Sequence, residues 1–188
     1  MKKLFLLVAM TIVTMSASAQ LITSTRAIKG ERAHNFWVDL GGGGFNGDVN
    51  DSGFGVDLGI RVTKMWNSVG WDIFRLSATT DTKDFGGAAN VKLKTGIRYI
   101  SPAVVGDMKL YANADMGYGF YPDNTDWHGI AWEAGVGIML TNRISAGVVY
   151  DSQYYSVDGV KYDRYWSDFK EEKNFHIGFI GARFGFAL

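Results

Sequence analysis

Cysteine is absent from this 188-residue chain, and proline occurs only 2 times. The lack of thiols excludes disulfides, thiolate nucleophiles and every zinc or iron–sulfur site built on cysteine. An excess of charge of one sign is also absent, because 19 lysines and arginines balance 19 aspartates and glutamates. No general electrostatic field therefore attracts nucleic acid, and no nucleic-acid partner is predicted.

In contrast to cysteine and proline, glycine and aromatic residues are abundant. The chain has 24 glycines, 14% of its residues are aromatic, and 47% are hydrophobic. This is too apolar a composition for a disordered chain. Glycine and aromatics with so little proline indicate an all-β protein.

The N-terminus has the layout of a secretory signal peptide over residues 1–19. Lys2 and Lys3 precede a short apolar stretch, and Ala17-Ser18-Ala19 forms a small-x-small cleavage site. The apolar stretch is too short to span a bilayer, so cleavage and export are predicted. Residues 20–34 are interpreted as a periplasmic lead-in. No later apolar run is long enough for a membrane helix, so any membrane crossing would use strands.

From residue 35 onwards the dominant hydrophobic period is two, the period of a β-strand. In segment 91–99, for example, Val91, Leu93 and Ile97 alternate with Lys92 and Lys94. Such alternation predicts eight strands, over residues 35–44, 54–62, 70–79, 91–99, 110–120, 130–140, 144–154 and 175–188.

Two of the eight segments do not alternate cleanly. The preferred phase of segment 70–79 puts Phe74, Leu76 and Ala78 on the apolar face, which leaves Asp72 on that face as well. In the last segment, Ile177 and Phe179 fall on the polar face. This predicts either a β-bulge or bulky side chains inside the barrel there.

Alternation alone fits a membrane barrel or a soluble one, and three features favour the membrane. The polar faces combine full charges with glycines, aromatics lie near the ends of the apolar faces, and the segments have the length of a tilted membrane crossing. Connections also alternate, with longer ones at 45–53, 80–89, 121–129 and 155–174 and shorter ones at 63–69, 101–108 and 141–143. We therefore predict an all-β, eight-stranded antiparallel up-and-down transmembrane β-barrel over residues 35–188. The alternative is a soluble periplasmic lipocalin-like binder with its apolar faces turned inward.

The last strand carries the most specific motif, in which Gly181 is followed by Phe184 and Phe186. With the eight segments, this motif resembles the small outer-membrane barrels of the OmpA transmembrane-domain and OmpX kind. The resemblance implies residence in the outer membrane as a monomer, in contact with lipid and lipopolysaccharide. It also implies that the barrel-assembly machinery reads Gly181, Phe184 and Phe186 as a terminal signal. A structural or surface-interaction role, adhesin-like, follows from the same resemblance.

The interior of an eight-stranded barrel is only wide enough for its own side chains. The strand phases turn a nearly balanced set of charges inward, which favours a structural ion-pair network over a selective pore. A narrow porin or small-solute channel is the alternative, because the inward glycines leave room either for long side chains or for water. The predicted network consists of Asp39, Asp57, Arg61, Arg75, Lys92, Lys94, Arg98, Asp115, Glu133, Asp151 and Arg183.

No catalytic or metal-binding constellation is predicted, so the chain is expected to be neither an enzyme nor a cofactor protein. His34, His128 and His176 fall in the lead-in, an outer loop and a strand end, and no serine partner is identifiable. Residues 48–53 mimic the start of a calcium loop, but Gly59 stands where a glutamate ligand is required.

The connection 155–174 is the predicted contact surface. Its aromatics, Tyr155, Tyr162, Tyr165, Trp166 and Phe169, alternate with acidic and basic residues. Exposed aromatics among charges suit an extracellular protein, a glycan or lipopolysaccharide headgroups. The alternative is an extended hairpin whose aromatics pack together or rest at the membrane interface.

Overall fold

A computed structural model describes residues 35–47, 53–81, 89–122, 124–156 and 174–188. These residues form eight antiparallel strands that close into a barrel, each strand pairing with the next and the last with the first. The strands are β1 (Asn35–Gly47), β2 (Phe54–Trp66), β3 (Val69–Asp81), β4 (Ala89–Val105), β5 (Met108–Tyr121), β6 (Asn124–Met139), β7 (Ile144–Ser156) and β8 (Asn174–Ala187). Across the described ranges, no helix is long and apolar enough to cross a membrane.

The two faces of the barrel have opposite chemistry. Lys92, Lys94 and Asp115 are buried in the interior, whereas Leu93 and Met116, one position away, are exposed on the outer wall. Apolar side chains cover the outer wall of every strand, as they do in a barrel that spans a lipid bilayer. The interpretation as a soluble lipocalin-like binder required the apolar faces to turn inward, and it is wrong.

Strand β3 contains a β-bulge that corrects the predicted phase of segment 70–79. Val62 pairs with Phe74 and Thr63 with Asp72, so Ile73 is an extra residue in the ladder with β2. Because side chains alternate with a period of two, one extra residue exchanges the faces on either side of it. Asp72 therefore lies fully buried inside the barrel, and its predicted position on the apolar face is wrong.

The second irregular segment lies in strand β8, which contains no bulge. Its register with β1 runs without interruption from Ile177 to Ala187. Ile177 and Phe179 are buried in the interior, where the Phe179 ring meets Phe45 edge-on with centroids 5.5 Å apart. Of the two predicted solutions, bulky side chains inside the barrel are the one that occurs.

Seven of the eight strands are longer than predicted, and several connections are correspondingly shorter. Strands β2 and β3 are joined at Asn67-Ser68, and β4 and β5 at Gly106-Asp107, with φ of 57° at both Asn67 and Gly106. Positive φ of this kind is typical of tight hairpin turns. The predicted long connection 121–129 is wrong, because β5 ends at Tyr121 and β6 begins at Asn124.

The two ends of the barrel differ, and we name them by their contents. The terminus rim holds Asn35, Leu188 and the short turns that follow β2, β4 and β6. The loop rim is the opposite end, where residues 48–53, 82–88 and 157–173 connect the strands. Much of residues 155–174, the predicted contact surface, lies outside the described residues, as do residues 1–34.

Replacing Asp72 by leucine tests on which side of the barrel this residue lies. In the interior, Asp72 accepts hydrogen bonds from Thr63 Oγ1 at 2.6 Å and from Arg98 Nη2 at 2.9 Å. Its loss leaves the buried Arg98 guanidinium without its carboxylate, so Asp72→Leu should lower the free energy of unfolding in vesicles by about 3–5 kcal/mol. Asp107→Leu, at an exposed turn, is the matched control and should change it by less than about 0.5 kcal/mol. Stabilisation by Asp72→Leu would instead place residue 72 against lipid.

Candidate functional site

The interior of the barrel holds all eleven predicted network residues, each of them buried, together with Asp72. Asp72 is the carboxylate that the sequence-based assignment missed, and with it the numbers of acidic and basic side chains become equal. Six acidic and six basic side chains now face one another inside the barrel. Buried charges need partners because removal from water is costly for each of them.

Glu133 lies at the centre of this network. Its carboxylate accepts hydrogen bonds from Arg75 Nε at 2.9 Å, from Lys94 Nζ at 2.6 Å and from Arg183 Nη1. These three cations come from β3, β4 and β8, none of which neighbours β6. Glu133 therefore ties opposite walls of the barrel together across the interior.

Two further carboxylates compensate the cations that surround Glu133. Asp57 accepts hydrogen bonds from Arg183 Nη2 at 2.6 Å and from Arg183 Nε at 2.8 Å. Asp151 accepts from Lys92 Nζ at 2.9 Å and from Lys94 Nζ at 2.6 Å.

Asp115 was predicted to belong to the ion-pair network, but its hydrogen-bond partner is a neutral side chain. It accepts from Asn113 Nδ2 at 2.6 Å, and no described lysine or arginine forms a salt bridge with it.

Towards the terminus rim the network continues as ion pairs capped by aromatic rings. Asp39 binds Arg75 Nη1 at 2.5 Å and Arg61 Nε at 3.3 Å. The Arg61 guanidinium lies 4.9 Å from the centre of the Trp37 ring, and Arg98 lies 5.1 Å from that of Tyr111. Cation–π contacts of this kind stabilise arginines that are withdrawn from water.

A small cavity remains at this end of the interior, between the two arginines and the rings. Its volume is about 30 Å³, and its lining includes Trp37, Arg61, Arg98, Tyr111 and Met139. A water molecule needs about 10–15 Å³, so the space suits one or two waters and no larger solute.

Towards the loop rim the interior holds a polar and aromatic layer. Asn90 Nδ2 donates to Gln153 Oε1 at 2.8 Å and to Tyr155 Oη at 2.6 Å. The Tyr121 and Trp127 rings pack on Tyr155, with centroids 5.7 and 6.2 Å from its own. Tyr155 is fully buried, so its predicted role in an exposed contact surface is wrong. Tyr162, Tyr165, Trp166 and Phe169 lie outside the described residues.

Inward glycines give the long side chains their room. A Cβ atom added to Gly119 would collide with the Gln153 side-chain amide, and one added to Gly135 would lie 2.5 Å from Asn113 Oδ1. A Cβ at Gly96 would collide with Asp115. The inward glycines were predicted to leave room either for long side chains or for water, and these three glycines make room for side chains.

The predicted assembly signal lies on β8 close to the terminus rim. Phe184 and Phe186 are exposed on the outer wall, and Gly181 is on the inner face, where an added Cβ would lie 2.9 Å from the Phe179 ring. The two aromatic side chains are therefore available to lipid.

The described histidines lie on the outer wall near the loop rim. His128 belongs to β6, not to the predicted loop, and shares a hydrogen bond with the Tyr118 hydroxyl. His176 shares a hydrogen bond of 2.6 Å, through Nε2, with Ser152 Oγ. The serine partner was missed because the two residues are 24 positions apart, and only the register of β7 with β8 brings them together. Among the described residues, no cluster of three His, Asp or Glu side chains could hold a metal ion.

The closed strand order, the apolar outer wall and the charged interior define the class of protein as a transmembrane β-barrel. No protein-family model and no curated protein matches the sequence. Among solved structures, the outer membrane enzyme PagL is similar with a TM-score of 0.56 and 16% identity, over 81% of this chain and 99% of that one. Neisserial surface protein A is similar with a TM-score of 0.53 and 12% identity, over 81% and 97%. At these identities the likeness concerns the fold alone.

Neutralising Glu133 tests whether the network holds the barrel together. Glu133→Gln preserves the side-chain volume but leaves Arg75, Lys94 and Arg183 with one carboxylate fewer between them. We expect the free energy of unfolding, measured by tryptophan fluorescence in denaturant, to fall by about 3–5 kcal/mol. Asp107→Asn, which neutralises an exposed carboxylate, should change it by less than about 0.5 kcal/mol. Equal effects of the two variants would contradict a stabilising network.

Proposed function

We propose that this chain is an integral outer-membrane β-barrel with a structural or surface-interaction role, adhesin-like, exerted at its loop rim. In this proposal residues 1–19 are a cleaved export signal and residues 35–188 form the barrel. The observation that carries it is the filled interior, where six acidic and six basic side chains are buried. A barrel with so little free interior acts through its surfaces.

Several further observations support a closed barrel. Trp37, Tyr111 and Met139 form an apolar cluster at the terminus rim, and Tyr121, Trp127 and Tyr155 pack together at the loop rim. A conducting pore also favours one sign of charge along its walls, whereas acids and bases are equal in number here.

The proposed partners follow from the surfaces that remain. The apolar outer wall suits outer-membrane lipid, and the charged and aromatic residues between β7 and β8 suit lipopolysaccharide headgroups, an extracellular protein or a glycan. Gly181, Phe184 and Phe186 would be read by the barrel-assembly machinery. The proposed functional unit is the monomer, because the barrel closes within one chain and leaves no strand edge open.

A narrow channel for small solutes is the second candidate, and one observation favours it. Asp57 Oδ1, Ser77 Oγ, Thr79 Oγ1 and Asn90 Oδ1 are buried and make no hydrogen bond within the described part of the chain. Buried polar atoms of this kind are commonly satisfied by water. Waters along these atoms would give the interior a polar path.

Planar-bilayer recording distinguishes the two candidates. Refolded mature protein, whose folding is checked by the heat-dependent gel shift, should give no discrete conductance steps because the side chains fill the interior. Replacing Lys94 and Glu133 together by serine shortens two central side chains and keeps the charge balanced. This variant should give steps and thereby show that the assay detects an open interior. Reproducible steps from the wild type would establish the channel instead.

The contact role is tested by replacing Tyr162, Tyr165, Trp166 and Phe169 together by serine. Cells that produce the folded variant should adhere at least about tenfold less than wild type to immobilised glycans and matrix proteins, about 1.4 kcal/mol in binding free energy. Trp66→Ser removes an exposed aromatic near the terminus rim and should leave adhesion unchanged. Adhesion that persists after removal of the four aromatics would contradict the proposed surface.

A further inference from the structure

The hydrogen-bonded pair of Ser152 and His176 is not part of the interior network. Both side chains belong to the outward series of their strands, Ser152 with Val148 and Tyr154 on β7, and His176 with Ile180 on β8. They therefore face the lipid side of the wall, close to the loop rim. A serine and a histidine that are hydrogen-bonded to each other stand out there, because most of this wall is apolar and aromatic.

The geometry of the pair is that of a nucleophile and its base. Ser152 Oγ lies 2.6 Å from His176 Nε2, within the range in which an imidazole takes a proton from an attacking hydroxyl. The Tyr154 ring packs against the imidazole with centroids 4.9 Å apart and orients it.

Two polar side chains, Asn46 and Tyr150, reach the wall beside the pair. Gly178 pairs with Ser152 in the ladder and has no side chain to cover the wall. A Cβ atom added there would collide with the Asn46 side-chain amide and lie 2.8 Å from Tyr150 Oη. Of these two groups, the Tyr150 hydroxyl is a donor and could stabilise an oxyanion formed beside the serine.

The wall beside these groups has an open position at Gly44. On β1 the outward positions before Asn46 are Gly42 and Gly44, and a Cβ atom added to Gly44 would have no atom within 4 Å. The Phe54 ring covers Gly42, where an added Cβ atom would lie 3.0 Å from it, and exposed Ile180 pairs with Gly44. An open position beside apolar side chains on a lipid-facing wall can be covered by an acyl chain of a membrane lipid.

The height of the pair fits the ester groups of the outer leaflet. Ser152 is eight residues beyond Ile144, where β7 starts at the terminus rim. At about 3.3 Å per residue and a strand tilt of about 40°, this corresponds to about 20 Å along the barrel axis. The apolar band of such barrels is about 25 Å tall, so Ser152 lies just inside its upper edge.

We propose that Ser152 and His176 hydrolyse the carboxylic ester of a long-chain acyl group in an outer-leaflet lipid. Ser152 Oγ attacks the carbonyl carbon while His176 Nε2 takes the hydroxyl proton. The ester C–O bond breaks, and the leaving alcohol receives that proton. Water then adds to the acyl-serine, again with His176 as base, and releases the fatty acid and the serine hydroxyl. Ser152 is fully buried, so entry of the ester requires the side chains that cover it to move.

The test uses full-length mature protein, folded in mixed micelles with either phosphatidylethanolamine or lipopolysaccharide. Released fatty acid is measured by mass spectrometry, and a long-chain alkyl fluorophosphonate is used to label the nucleophile. We expect fatty acid from at least one lipid and the label on Ser152. Release from only one of the two lipids identifies the source of the ester.

Matched variants separate catalysis from structure. Ser152→Ala and His176→Gln should each lower the rate of release at least about 100-fold, and His176→Gln should also abolish labelling. His128→Gln removes the other described histidine of the same wall, which bonds a tyrosine rather than a serine, and should leave the rate unchanged. All variants must show the heat-dependent gel shift of the folded barrel. No release and no labelling by the folded wild type, or release that persists in Ser152→Ala, would overturn the proposal.

Discussion

The Glu133 carboxylate, held by Arg75, Lys94 and Arg183, is the interaction on which the interior depends. A carboxylate removed from water is costly, and so is each of the three cations, unless all of them remain in contact. Because the four side chains come from β3, β4, β6 and β8, they meet only when the barrel is closed and correctly registered. Charge compensation thus makes the interior specific for one arrangement of strands, whereas the apolar outer wall would tolerate many.

The same constraint explains the position of the bulge in β3. Without the extra residue at Ile73, Asp72 would face lipid, and Arg98 would lie buried without its bidentate carboxylate. With it, Asp72 joins Arg98, and the acids and bases become equal. A local irregularity in one ladder is therefore required by the electrostatics of the whole interior.

Much of this architecture is predictable from the sequence, since a period of two assigns each strand its two faces. Lys92, Glu133 and Arg183 lie inside where alternation puts them. Alternation fails at Asp72, whereas Tyr155 was assigned to a loop because β7 was predicted to end one residue before it. A bulge changes the phase without any residue type that marks it, and a tyrosine near a strand end is equally compatible with an exposed loop and with a cap on the interior. The pair of Ser152 and His176 was beyond prediction because it depends on the register of two strands, which is fixed by the ion pairs and closure elsewhere.

A filled interior also determines where chemistry can occur in such a molecule. Substitutions inside must conserve both charge and volume, as the collisions at Gly119 and Gly135 indicate. The outer wall has no such restriction, because a lipid-facing position only needs to be apolar or, near a rim, satisfied in its hydrogen bonds. Polar side chains on that wall therefore need a local partner, and His176 meets this need for Ser152. A pair that is satisfied in this way is stable in the membrane, and it also places a nucleophile and its base beside the acyl chains that surround the barrel.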